Sequence, residues 1–319
     1  MRGPRRLGAR LARVLLGSLL ALGPQAAGAG EAAGQKAHPA LWRVQHGTST
    51  VYLFGSLHVL PQGYGWTTPI IESAMQASNV FIFEVPVDDA ALKDEKQFIA
   101  ENGLLSKRQT LRGLLTPTEF QTYSAVLRRA GLHPNEFELF RPWLAAVVLG
   151  LAYLHGDDLN SLRGADDDLM DFARAHGRQL LYLESVRDQM QLLNTGDANS
   201  QLKALKSLIY ALPRSRAQEV ALRDTWASGD FRAFTDLLAG YFDGRPEAED
   251  FLIDRRNVNW MPEIDGFLAR PGTTAMITVG AAHIGGRKGL LSLLCAQGYS
   301  VERVGDTGEE TRSACGPGA

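Results

Sequence analysis

Apolar residues in this chain fall into two patterns. Short apolar runs of strand length occur at Val80–Val85, Gln179–Glu184 and Thr273–Val279. The first is continuous rather than alternating, which predicts a strand buried on both faces. Weaker alternation in Leu41–Gln45 and Thr50–Phe54 flanks the turn residues Gly47-Thr48-Ser49 and predicts a hairpin. Tyr299–Val304 is the last expected strand. Helical periodicity dominates between these runs. Pro69–Ala77 predicts a short helix. Thr116-Pro117-Thr118-Glu119 is a capping box with proline in the first turn, opening a helix that ends near Gly131. Pro142 opens a very apolar helix, Asp166 is expected to cap another ending near His176-Gly177, and residues 198–240 and 287–297 are also helical in pattern.

Strand–helix–strand order at this spacing predicts an α/β fold with a mixed or parallel central sheet and a large helical insertion over about 88–262. The division expected is a leader at 1–29, a linker at 30–39, one domain at 40–304 and a polar tail at 305–319.

Charge sharpens this reading. Residues 1–29 hold Arg2, Arg5, Arg6, Arg10 and Arg13 and no acid. The remainder has 28 basic against 35 acidic residues, a net charge of −7. No basic stripe interleaved with aromatics occurs, so a nucleic-acid partner is not expected. The cationic start, the apolar run Leu11–Leu22 and the small residues Ala27-Gly28-Ala29 have the form of a cleaved secretory signal. That predicts a periplasmic or secreted protein that does not span a membrane once cleaved. The other long apolar stretch, Trp143–Leu154, has the length of a core helix rather than a span. Cys295 and Cys315 could close one disulfide in an oxidising compartment, or stand as a buried thiol and a tail thiol.

Candidate chemistry gathers at strand ends, where open α/β sheets bind ligands. Gly55-Ser56-Leu57-His58 and Gly280-Ala281-Ala282-His283 repeat a Gly-x-x-His spacing, each after an expected strand. Glu84 and Glu184 close two further strands. A carboxylate closing an apolar strand needs a partner, because an unpaired buried charge is costly. Two imidazoles with one or two carboxylates form a usual ligand set for a hydrolytic divalent ion. Asp254-Arg255-Arg256-Asn257 offers a guanidinium to polarise a carbonyl or to hold a carboxylate near the site. Asp166-Asp167-Asp168 reads as a helix cap complementing the dipole. No H-E-x-x-H, G-x-S-x-G, Walker loop or G-x-G-x-x-G is present.

These pieces, in order, resemble the TraB/GumN family, relatives of the Tiki proteases and of the pheromone-shutdown protein TraB/PrgY. The matching residues are Phe54-Gly55-Ser56-Leu57-His58, Phe83-Glu84-Val85-Pro86, Arg141-Pro142-Trp143-Leu144 and Gly164-Ala165-Asp166. Leu183-Glu184 with Gln189, Arg256-Asn257, and Val279-Gly280-Ala281-Ala282-His283 complete the set. The resemblance implies a core of two related strand–helix units and a site built from His58, Glu84 and His283, with Glu184 and Arg256. It further implies a metal-dependent peptidase acting on a peptide or protein. The expected roles are His58, His283, Glu84 and Glu184 at the metal, with Glu84 and Arg256 catalytic. Two other readings stay open: a non-catalytic envelope protein binding a peptide or polysaccharide, and a metal-free esterase using Ser56.

Overall fold

The computed structural model describes residues 37–61, 63–106, 108–155, 163–243, 246–305 and 312–316. The expected leader therefore lies outside the described residues. The fold is α/β. Its strands are β1 (Leu41–His46), β2 (Ser49–Ser56), β3 (Val80–Phe83), β4 (Gln179–Tyr182), β5 (Thr274–Gly280), β6 (Val301–Val304) and the two-residue β7 (Arg312–Ser313). They form one mixed sheet in the order β4-β3-β5-β2-β1-β6-β7. The four strands from β4 to β2 are parallel, and β1, β6 and β7 are joined on antiparallel. The expected hairpin is β1–β2, registered from Leu41 opposite Phe54 to His46 opposite Ser49.

The chain divides into two compact units. Among the described residues, the sheet unit comprises 37–84, 163–183 and 218 onward, and the helical unit comprises 85–155 and 184–217.

In the sheet unit every residue of β3 is buried, as its continuous apolar run requires, and so are all but the first of β5. The Gln179–Glu184 run, which reads as another buried strand, instead forms β4 with its first residue exposed and the rest half-buried. Val51, Leu53, Ile82, Ala275, Ile277 and Val279 share a core with Trp260, Ile264 and Leu268 of one helix and Leu290 and Leu294 of another. Those helices are Arg255–Leu268 and Leu290–Ala296. Phe81 instead pairs with Phe172, of helix Ala165–Ala175, at 5.9 Å between ring centroids. Cys295 and Cys315 are bonded, which closes the two-way reading of these thiols and ties β7 to the helix 290–296.

The helical unit contains α1 (Asp89–Asn102), α2 (Leu111–Leu114), α3 (Pro117–Arg129), α4 (Pro142–His155) and α5 (Val186–Leu193). The capping box at Thr116 forms as expected, with the Thr116 hydroxyl accepting from Glu119 N and the Glu119 carboxylate accepting from Thr116 N. No helix of the described residues is long and apolar enough to cross a membrane. The periodic stretch 198–240 is two helices, Ala198–Ala227 and Phe231–Phe242. Gly229 breaks it with φ of +70°, a conformation that L side chains resist.

Candidate functional site

Strand order builds the site. β5 is inserted between β2 and β3, and all three run parallel. Their carboxyl ends therefore share one edge of the sheet. Each end carries one titratable residue: His58 after β2, Glu84 after β3 and His283 after β5.

Glu84 is at the centre. Its Oε1 accepts a 2.6 Å hydrogen bond from Gly280 N, and its Oε2 accepts one of 2.5 Å from Arg256 Nη2. His58 Nε2 lies 3.8 Å and His283 Nε2 3.9 Å from Oε1. A side chain at Gly280 would place its Cβ 3.0 Å from His58 Nε2 and 3.4 Å from Glu84 Oε1. Glycine is thus what lets the β5 backbone approach the cluster.

The two imidazoles are held in opposite ways. His58 turns Nδ1 to the Asp166 carboxylate at 3.1 Å. An acceptor there keeps the proton on Nδ1 and aims Nε2 at Glu84. His283 is pinned by Asn257, whose Nδ2 donates to the backbone oxygens of His283 and Lys288 at 3.1 and 2.8 Å. With the amide so oriented, Asn257 Oδ1 accepts from His283 Nδ1 at 2.7 Å. His283 Nε2 is then an acceptor, and Arg256 Nη1 donates to it at 3.0 Å. Trp260 backs the pair, with its ring 4.6 Å from His283 and 4.7 Å beneath the Arg256 guanidinium.

Electrostatics separate these groups. Burial opposes charge on His58, but the Asp166 carboxylate, joined by Glu84 and Asp167, pushes the pKa up to about 9. Burial pulls His283 down to about 3, and Arg256 and His58 add to burial against Glu84. Burial alone would raise Glu84; the Arg256 guanidinium, together with the two histidines and the Gly280 N–H, outweighs it and holds the carboxyl far below its usual range. The centre thus pairs an imidazolium, a neutral imidazole, a carboxylate and a guanidinium. Environments that drive two histidines apart in this way are typical of acid–base centres.

The model of the TraB/PrgY/gumN family matches residues 40–303 of the chain. The chain belongs to this family. No curated protein and no solved structure matches it.

In this family member, His58, Glu84, Arg256 and His283 meet in the sheet unit. Of the two adjacent arginines, Arg256 is the buried one; Arg255 is exposed and pairs with Asp250 at 2.7 Å. A π-helical turn, Asp250–Asp254, precedes this pair. Glu184 begins the segment assigned to the helical unit, where its Oε1 accepts from Gln189 Nε2 at 3.4 Å. Ser56 is buried within β2, and its hydroxyl donates to Val279 O at 3.3 Å, spending the proton that a nucleophile would pass to a base.

Asp166 corrects its expected role. Gly164, not Asp166, is the N-cap of Ala165–Ala175, and the Asp167 carboxylate reaches back to Gly164 N at 2.9 Å. A Cβ at Gly164 would lie 2.5 Å from Leu57 O, so that position admits only glycine. Asp166, freed from capping, turns to His58. Asn257 likewise positions a histidine. Neither role has a local signature, since a first-turn acid reads as a cap and an asparagine beside arginines reads as a helix face.

A divalent ion is tested here by the donor set. Two bonds of about 2.1 Å span at most roughly 4.2 Å between donors. Both Nε2–Oε1 separations are shorter than that. His58 and Glu84 fit once the His58 imidazolium gives up its Nε2 proton and the pair closes toward the roughly 3.4 Å that tetrahedral bonds of this length hold between donors. His283 fits once Arg256 Nη1 leaves its lone pair. Accordingly, no group of three His, Cys, Asp or Glu among the described residues is already arranged as a metal site.

Proposed function

We propose that this TraB/PrgY/gumN family member is a metal-dependent hydrolase of peptide bonds, exported to an oxidising compartment. One observation carries the catalytic part: two imidazoles more than two hundred positions apart converge on one strand-end carboxylate that is clamped by a guanidinium. The similarity to Tiki proteases supports a peptide substrate. Export is supported by the signal-like N-terminus and the Cys295–Cys315 bond.

His58 and Glu84 would hold the ion, with His283 as third ligand. When bound, such an ion acidifies water and polarises a carbonyl. Asp166 fixes the His58 ring and Asn257 the His283 ring, so neither must reorganise when substrate arrives. Arg256 presents a buried positive charge to the oxygen that gains charge as the carbonyl is attacked. A second reading is favoured by the Arg256–His283 contact: the same cluster working without a metal, with His58 as general acid and Arg256 holding the oxyanion.

The mature chain, metal-stripped and then loaded with manganese, cobalt or zinc, is incubated with a peptide library and read by mass spectrometry. Cleavage that needs metal and is lost in His58→Ala and Glu84→Ala is the expected result. Cleavage that persists in chelator replaces the first reading by the second. Absence of cleavage under every condition overturns both.

A further inference from the structure

The helical unit carries a cavity of about 420 Å³ that the sheet-edge chemistry does not use. It is lined from α2 by Arg112, from Leu115 just beyond it, and from α3 by Phe120, Gln121, Ser124 and Arg128. The α3 positions recur at helical spacing and so form one face. Leu115 and Phe120 are buried and supply an apolar floor.

Two cations border that floor. The Arg112 guanidinium carbon lies 4.2 Å over the Phe120 ring, and its Nε donates to Glu138 at 3.1 Å. The Nη groups of Arg112, and the whole Arg128 guanidinium, have no acceptor among the described residues. Nearby acids are already engaged. Glu119 accepts from Thr116 N, Lys206 and Tyr210, and Glu138 accepts from Arg112. No carboxylate lines the cavity. Ser124 is buried, and its hydroxyl has no partner among the described residues. A buried polar group without a partner is costly.

We infer that this cavity binds the C-terminal carboxylate end of a peptide whose last side chain is apolar. Arginine forks match a carboxylate with two parallel donors. Leu115 and Phe120 take the last side chain, and the Gln121 amide, which both donates and accepts, meets the preceding peptide group. The volume sits at the small end of the range for ligand sites, roughly 300–1,000 Å³. That suits a chain end of one or two residues rather than a polymer. The inference does not depend on the hydrolase reading.

Isothermal titration calorimetry on the mature chain tests it, with N-acetyl-Leu-Phe as the free acid, the matching C-terminal amide, and 3-phenylpropionate. The free acid is expected to saturate one site, and the amide to bind at least about tenfold more weakly, as loss of charge-assisted hydrogen bonds implies. Arg128→Gln and Arg112→Gln should each weaken the acid roughly tenfold and leave the amide unchanged. Both side chains are exposed, so folding, checked by circular dichroism, is retained. His58→Ala should bind the free acid as wild type does, which separates this site from the sheet-edge cluster. Equal binding of acid and amide, insensitivity to Arg128→Gln, or loss in His58→Ala overturns the proposal. Phenylpropionate binding as tightly as the peptide also overturns it, in favour of a site for free carboxylic acids.

Discussion

Replacing Glu95 by leucine should stabilise the protein, by an amount that grows with pH. Glu95 lies on α1 and is 0% exposed, and neither carboxylate oxygen has a hydrogen-bond partner among the described residues. Burial, only weakly offset by Lys96, pushes its pKa up from 4.5 to about 9. Below the lower value the group is protonated in both folded and unfolded chains and adds no pH dependence. As pH rises through 4.5 the unfolded chain loses its proton, while the folded chain keeps it until about 9. Folding stability is therefore lost across this window, at about 1.4 kcal/mol per pH unit. From pH 5 to pH 8 the wild type should lose roughly 4 kcal/mol from this one group, or about 2 if the folded chain admits water to it. Leucine has no proton to exchange and fits an apolar site. The advantage of Glu95→Leu should begin at about 1–3 kcal/mol near pH 5, from removing an unpaired polar group. It should then widen by roughly 2–4 kcal/mol by pH 8. Urea unfolding followed by far-ultraviolet circular dichroism at half-unit pH steps measures the difference. A gap that does not change with pH, or a variant less stable than wild type at pH 8, would refute the reasoning.

Four further outcomes follow from the sheet-edge cluster and the disulfide. Arg256→Met leaves the Glu84 charge buried without its partner and should cost about 3–5 kcal/mol, seen as a lowered unfolding midpoint; a near-neutral effect would show that Glu84 does not need the guanidinium. Asp166→Asn removes the carboxylate that does most to offset burial at His58, so its proton should leave well below pH 9 in chelator-treated protein, read from the His58 ring signal by nuclear magnetic resonance. Gly280→Ala puts a methyl group 3.0 Å from His58 Nε2 and should depress turnover more than stability, the reverse outcome counting against a site at this position. Cys295→Ser with Cys315→Ser opens a loop of 20 residues and should cost about 3 kcal/mol, whereas an unchanged urea midpoint would mean that the tail adds no constraint.

Much of the frame is legible in the chain because its signals are local. A buried parallel strand must be apolar on both faces, so β3 stands out as an uninterrupted run. The box at Thr116-Pro117-Thr118-Glu119 announces α3 because both of its hydrogen bonds lie within four residues. His58, Glu84 and His283 can be found because a strand end marks where a sheet presents chemistry. The break at Gly229 carries no such mark, because periodicity on both sides of it joins two helices into one pattern.

Sequence alone marked titratable residues at expected strand ends, His58, Glu84 and His283 among them. Tertiary structure alone decided that they meet, by placing a strand from the end of the chain between two from its beginning. It also decided which neighbours set their charge: Arg256 rather than Arg255, Asp166 as a partner of histidine rather than a cap, and Asn257 as the brace of His283. The reason is one of range. Propensity and periodicity act over a few residues, whereas burial and charge pairing depend on groups that only the folded chain brings within 4 Å.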